Sequence, residues 1–280
     1  MREIGCDEII SCVERLCIKS ATVLPCDLRQ LIESARETES SVPGRDALAD
    51  IIDNYHIAEE QGVPICQDTG MAVVFLELGQ DVHITGGSLT GAINEGVRRG
   101  YDKGLLRKSI VSDPLRRTNT GDNTPAVIHI DIVEGEKLHI TLAPKGFGSE
   151  NMIAAKLLTP AEGRKGVEDF IVSVVDSAGA RPCPPIIVGV GLGGTIEKAA
   201  ILAKKALARP VGKSNPDPYY AEMESGLLER INMLGIGPQG FGGKHTALKV
   251  AIEFFPTHIA GLPCVVNIGC HATRHADETI

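Results

Sequence analysis

Three of the eight cysteines stand alone in short polar segments rich in glycine or proline. Cys66 lies in Pro64-Ile65-Cys66-Gln67-Asp68-Thr69-Gly70, Cys183 in Arg181-Pro182-Cys183-Pro184-Pro185, and Cys270 in Asn267-Ile268-Gly269-Cys270-His271. The intervals between them are far longer than the C-x-x-C spacing of a zinc knuckle. Lone thiolates in stiff loops suggest a metal centre assembled by the fold. Three of them can hold three irons of a 4Fe–4S cluster and leave the fourth iron open. Such an iron can act as a Lewis acid on a substrate oxygen. The other five read as small hydrophobes: Cys6, Cys12, Cys17 and Cys26 in a helical-looking stretch, Cys264 in an apolar one.

Other residues could do chemistry beside these thiols, and each has a plainer reading. Asp68 and Thr69 could simply cap a strand-entry turn. A carboxylate two residues from Cys66 could equally move the proton of a hydration or dehydration. Arg107, in Leu106-Arg107-Lys108-Ser109, could complement a helix C-terminus or clamp a carboxylate with its planar fork. The run Thr118–Pro125 reads as a polar loop. Lys145-Gly146-Phe147-Gly148-Ser149-Glu150-Asn151 puts two glycines just ahead of an expected helix, a ready anion site to which Lys145 would add charge. Gly189-Val190-Gly191-Leu192-Gly193-Gly194 matches the dinucleotide fingerprint. No strand ending in an acidic residue follows at the required distance, so it reads as a tight β–α turn near the Cys183 loop. Gly242-Gly243-Lys244-His245-Thr246 lacks the first glycine and the Ser/Thr of a phosphate loop. His258, alone between two strand-like runs, reads first as a structural group. His271 and His275 flank Cys270 as tail residues or as groups behind the metal ligands.

The elements that must position these groups show in the hydrophobic pattern. Ile9, Cys12, Val13, Leu16 and Cys17 recur at helical spacing, and helices are expected near Leu28–Glu37 and Asp46–Glu60. Strands are expected at Met71–Leu78, Ile128–Val133, Leu138–Leu142, Ile186–Val190, Val250–Phe255 and Val265–Ile268. Further helices are expected near Leu89–Leu106, Asn151–Leu158 and Ile196–Leu207, with a loop over Arg209–Pro218. The class is α/β: a helical lead-in over residues 1–60, then a mixed α and β core over 61–280. No linker is evident, so one domain is expected over 1–280. A net charge of −8 argues against nucleic acid as a partner. No apolar run spans a membrane and the N-terminus is not a signal peptide, so a cytoplasmic, reducing location is expected.

Taken together, these segments resemble the α subunit of two-subunit class I (iron–sulfur) fumarate hydratases, within the fumarase/L-tartrate dehydratase family. The resemblance covers nearly the whole chain. It is carried by Cys66-Gln67-Asp68-Thr69-Gly70, Asn119-Thr120-Gly121, Lys145-Gly146-Phe147-Gly148-Ser149, Cys183-Pro184-Pro185, Gly191-Leu192-Gly193-Gly194-Thr195, Gly242-Gly243-Lys244 and Cys270. It implies a 4Fe–4S cluster on Cys66, Cys183 and Cys270. It places Gln67, Asp68, Arg107, Gly148 and His258 around a small dicarboxylate, with Asp68 and His258 in catalytic roles. The implied reaction is hydration of fumarate to L-malate, a step of the tricarboxylic acid cycle, with L-tartrate dehydration as the alternative. A nicotinamide-dependent dehydrogenase built on Gly189–Gly194 is the remote one. After Arg107 the chain reads Lys-Ser-Ile-Val-Ser where single-chain relatives commonly have Tyr-Ser-Gln. Those larger relatives carry a second domain. Here the sequence ends ten residues after Cys270, so a separate β subunit is expected to cover the site, with Ala272–Ile280 as a tail.

Overall fold

The computed structural model describes residues 2–280. Strand β1 (Arg2–Gly5) leads into α1 (Cys6–Thr22), followed by α2 (Cys26–Thr38) and α3 (Val42–Gln61). Strands β2 (Met71–Gly79) and β3 (Val82–Thr85) precede α4 (Leu89–Lys103). Next come β4 (Val127–Val133), β5 (Leu138–Lys145), the single turn α5 (Phe147–Glu150) and β6 (Ala154–Leu158). Then α6 (Gly163–Ala178), β7 (Ile186–Gly193), α7 (Ile196–Ala208) and α8 (Pro218–Asn232) lead to β8 (Ala247–Phe255), β9 (Leu262–Gly269) and β10 (Ala276–Thr279). The class is α/β with a helical lead-in, as the patterning indicates. Where one domain was expected over 1–280, the chain gathers into two compact units that interleave along the sequence.

The first unit takes the chain up to Pro25, Asn54–Gly146 and Arg274–Ile280. Its sheet has the order β10-β5-β2-β4, with β5 antiparallel to β2 and β10, and β2 parallel to β4. Helices α1 and α4 pack together against one face, through Ile9, Val13, Leu16, Ile93 and Val97 onto Val74, Leu76 and Ile140. Their approach is close because α4 offers glycine at the crossing. A methyl group at Gly100 would fall 2.6 Å from Cys17 Cβ, and one at Gly96 2.6 Å from Val13 Cβ. Cys17 is therefore a core residue of this crossing, and Cys12 is buried in the same core, as their spacing suggests. Cys26, grouped with them in the sequence reading, is instead exposed at the start of α2.

The second unit takes Cys26–Asp53 and Phe147–Thr273. Its sheet has the order β6-β9-β7-β8. Strand β7 is buried along its whole length, covered on one face by α6 and α8 and on the other by α7. The glycines of the dinucleotide-like run serve this packing. A methyl group at Gly191 would fall 1.9 Å from the Ala199 carbonyl oxygen, and one at Gly189 2.3 Å from that of Ala203. They let the α7 backbone settle onto β7. The run ends at the far end of β7 from Cys183, not beside the Cys183 loop as expected. The edge strand β8 is sealed by side chains: the Ile252 N–H donates to Glu224 Oε1 at 2.8 Å, and Asn215 Nδ2 donates to the Ile252 carbonyl at 2.8 Å. Such caps remove an exposed pairing edge.

Several local readings are overturned. Ala154–Leu158 is strand β6, not helix, because it pairs antiparallel with β9 from Val266 to Leu262. That pairing outweighs the helical propensity of Ala-Ala-Lys-Leu-Leu. The C-terminal residues are not a tail. Strand β10 pairs with β5, Ile280 and Leu138 exchange two 2.9 Å backbone hydrogen bonds, and Ala272, Arg274 and Ala276 are buried. Helices α6 and α8 had no counterpart in the sequence reading. Among the described residues, no helix is long and apolar enough to cross a membrane.

Candidate active site

The Cys66 loop is set by its neighbours in the first unit. The Ile65 N–H donates to the Ala21 carbonyl at 3.0 Å, and Asn54 Nδ2 donates to the Ile65 carbonyl at 2.8 Å. Past the cysteine, Thr69 is buried and its hydroxyl donates to the Arg107 carbonyl at 2.9 Å. The buried Tyr101 hydroxyl lies 2.9 Å from the carbonyls of both Thr69 and Gly70. Burial pushes that phenol up, so it stays a donor. Asn123, fully buried, donates from Nδ2 to the Gly70 carbonyl (3.2 Å) and accepts the Ser109 N–H at Oδ1 (2.7 Å). Two buried, hydrogen-bonded groups thus lock the Cys66–Gly70 turn to the segment carrying Arg107. No role for Tyr101 or Asn123 follows from the sequence alone, since polarity at a position that turns out buried was their one signal.

Asp68 combines its two readings. Its Oδ1 accepts the Gly70 N–H at 3.0 Å, the turn-capping role. Its Oδ2 stands against Gly146, where a methyl group would come within 3.1 Å. Arg274 Nη2 donates to the Asp68 backbone carbonyl at 2.8 Å, so the C-terminal strand segment also braces this turn. Half-buried Cys66 and exposed Gln67 stand beside it, the Cys66 thiol 3.5 Å from Gln67 Oε1. Arg107 is exposed, beyond the Gly104 cap of α4. Lys103, not Arg107, occupies the last turn, so the helix-end reading falls away. Its neighbour Lys108 is engaged with Asp102 at 2.8 Å, whereas the Arg107 guanidinium makes no ion pair among the described residues.

In the second unit Cys183 and Cys270 meet at one end of the sheet. Cys183 lies two prolines before the start of β7 and Cys270 follows the end of β9, strands that run antiparallel with Ile187 opposite Gly269. The His271 N–H donates to the Cys183 carbonyl at 3.2 Å, and Nδ1 of the same ring lies 3.1 Å from that oxygen. Cys183 is exposed, with a positive φ of 55°, and Cys270 is half-buried. Gly148 is exposed, and a methyl group on it would lie 4.0 Å from the Arg181 carbonyl. It therefore belongs to the same end. The helix expected after it is only the turn Phe147–Glu150. The anion-site argument is reduced to the loop's own N–H groups, since one turn sums few peptide dipoles.

His258 is elsewhere in this unit. It lies exposed in the β8–β9 connection, where its Nδ1 accepts the Ala260 N–H at 3.2 Å. At about 3.3 Å per residue, the eight residues of β9 put roughly 26 Å between that connection and Cys270. Within the unit, His258 does not join Cys183, Cys270 and Gly148.

The thiols divide sharply by environment. Burial pushes Cys12 and Cys264 up to about 12, and pushes Cys17 up as well. Such thiols are held protonated and inert. Cys66, Cys183 and Cys270 instead present sulfur at loops. Among the described residues, no three His, Cys, Asp or Glu side chains stand close enough to share one metal ion. A cluster makes a different demand, one cysteine per iron, which thiols presented singly at loops can meet.

The loop 237–245 lies at this same end and is held by a buried carboxylate. Glu39, 2% exposed, accepts the N–H groups of Ser41 (2.9 Å), Lys244 (2.9 Å) and His245 (3.0 Å). Burial alone would raise this carboxyl, but the N–H groups of Ser41, Lys244, His245 and Ser40 outweigh it and hold it below its usual value. A depressed carboxyl contributes stability that is full above its ordinary pKa and lost as pH falls through the folded-state value. Glu39→Gln is therefore expected to cost about 2 kcal/mol at neutral pH, a charged hydrogen bond's worth. The gap to the parent should shrink on acidification, as urea unfolding at pH 7 and at pH 4 would report. An equal gap at both would mean that packing, not charge, is lost.

Comparison with known proteins sets the class of this site. The sequence matches the fumarate hydratase (fumerase) family over residues 10–279, so the chain belongs to this family of hydro-lyases and is an enzyme subunit of the fumarase/tartrate dehydratase kind. A Methanocaldococcus jannaschii protein with the provisional name L(+)-tartrate dehydratase subunit alpha is 42% identical over 279 residues, 98% of each chain. The L(+)-tartrate dehydratase subunit alpha of Escherichia coli K12 is 33% identical over 269 residues, 92% of this chain and 88% of that one.

Proposed function

We propose that this chain is the α subunit of an iron–sulfur hydro-lyase that adds water reversibly to fumarate to give L-malate, and that a separate β subunit completes the enzyme. The observation that carries this reading is the division of the cysteines. Cys6, Cys12, Cys17 and Cys264 are sealed in cores, while Cys183 and Cys270 are tied side by side at one end of a sheet and Cys66 stands in a braced turn beside Asp68. Cys66, Cys183 and Cys270 would hold the 4Fe–4S cluster. When bound, it supplies an iron without a cysteine, a Lewis acid for substrate oxygen.

The chain's own residues account for the rest. Dehydrating a 2-hydroxy acid removes hydroxide from one carbon and a proton from its neighbour. The Asp68 carboxylate, oriented by the Gly70 N–H, would accept that proton and return it in the reverse direction. Arg107, exposed and in no ion pair among the described residues, offers its fork to a substrate carboxylate. The Gln67 amide and the Gly148 N–H would bind remaining oxygens. His258 lies too far along β9 to act on substrate held at the Cys270 end of its own unit.

L-tartrate dehydration is the second reading, favoured by the names of the relatives. It needs the same chemistry on a substrate with one more hydroxyl. Anaerobic co-purification with a β subunit, then assays on L-malate, fumarate and L(+)-tartrate, decides between them. Turnover of tartrate alone selects the second reading, and turnover of none by cluster-loaded complex removes both. The chain by itself should turn over slowly or not at all, because a dicarboxylate site needs closure against water. Full activity from the reconstituted chain alone would remove the β subunit from the proposal.

A further inference from the structure

The two cysteine loops of the second unit are joined by a residue with no role so far. Gln239 lies in the turn Pro238–Gly240 with a φ of 51°. A left-handed backbone strains a residue with a side chain and persists only where its surroundings over-determine it. The surroundings here are the cysteine loops. The Gln239 backbone N–H donates to the Pro184 carbonyl at 2.8 Å, and its side-chain Nε2 donates to the same oxygen at 2.8 Å. That Nε2 also lies 3.1 Å from His271 Nδ1. Pro184 follows Cys183, and His271 follows Cys270. An amide nitrogen has two hydrogens, so one side chain can reach both loops. With Nδ1 unprotonated, it accepts the second amide hydrogen. In the other tautomer, Nδ1–H donates to the Cys183 carbonyl, 3.1 Å away. The amide bridge thus belongs to the tautomer with Nδ1 unprotonated, and in the other the ring itself joins the loops.

The rest of the turn holds Gln239 in place. Gly240 packs so tightly on Ala180 that a methyl group would fall 2.5 Å from its Cβ. The Gly237 N–H donates to Thr246 Oγ1 at 3.1 Å, and Glu39 anchors the loop at Lys244 and His245. The turn thus presents one amide rigidly to two loops whose mutual spacing nothing local in sequence sets.

We infer that Gln239 is a positioning residue, whose side-chain amide holds the Cys183 and Cys270 loops at the separation their shared metal centre requires. This rests on the cluster assignment above. Gln239→Gly keeps the backbone bond and relieves the positive φ, while deleting only the side-chain bridge. Gln239→Asn tolerates the same φ but is one methylene short. Both should fold with a thermal midpoint near the parent's. In apo protein, cross-linking of Cys183 to Cys270 by a bifunctional thiol reagent, followed by peptide mass spectrometry, should slow several-fold in Gln239→Gly. In reconstituted protein, iron loss in air should quicken by about tenfold or more, the usual scale for groups behind metal ligands. Unchanged cross-linking in Gln239→Gly overturns the inference. A parent protein that takes up no iron removes the cluster assignment instead, and the cross-linking arm still decides whether Gln239 sets the spacing.

Discussion

Serine at Cys66, Cys183 or Cys270 is expected to leave a folded chain that no longer retains iron and sulfide, whereas serine at Cys12 is expected to keep both. The reason lies in where each sulfur stands. The three loop cysteines carry no core packing, Cys183 being exposed and the other two half-buried, so exchanging sulfur for oxygen there costs little stability. It removes a soft thiolate ligand, which a hydroxyl does not replace. Cys12 is fully buried between α1 and its neighbours. Serine there buries a hydroxyl at a cost of about 1–3 kcal/mol, a loss of stability with no loss of metal. Anaerobic iron and sulfide analysis, with unfolding curves on the same samples, separates the two effects. Parent-level iron in all three loop variants would end the cluster assignment.

Arg107→Lys is expected to lower kcat/KM by roughly tenfold or more, each factor of ten being about 1.4 kcal/mol. Lysine keeps the charge and loses the planar two-pronged fork that matches a carboxylate. Arg107→Ala should fall further. Neither should move the unfolding midpoint much. The side chain is exposed, and what braces its segment is the backbone carbonyl accepting from Thr69, which both substitutions keep. Parent kinetics in Arg107→Ala would reduce the residue to a surface cation. A drop in stability that accounts for the lost activity would instead assign it to the fold.

Both expectations were reachable from the sequence because their signals are local. A cysteine flanked by Pro-Pro, or by Gly and His, is unlikely company for a packed core, and the structure leaves Cys183 and Cys270 at loops. Cys26 shows the limit of that reasoning: helical spacing marks a face without saying which face is covered. The i, i+3, i+4 pattern located α1, and the unbroken apolar run Ile186–Val190 located β7. Helix α8 was missed although Asp217 and Pro218 form an N-cap with proline in the first turn, the Asp217 side chain accepting the Tyr219 N–H at 2.9 Å.

The sequence by itself determined the α/β class, most individual elements, and which cysteines sit in stiff polar loops, since each depends on residues within one or two turns of one another. Only the tertiary structure decided the rest. Ala154–Leu158 became a strand because β9 lay open to pair with it. The last residues became β10 because β5 had a free edge. Antiparallel pairing of β7 with β9 put Cys183 beside Cys270 and carried His258 to the opposite end. Gln239 came to bridge two loops far from it in sequence. The common physical reason is that strand pairing and loop bridging gain their energy from groups brought together only after the chain has folded, so neither leaves a periodicity in the segment that takes part.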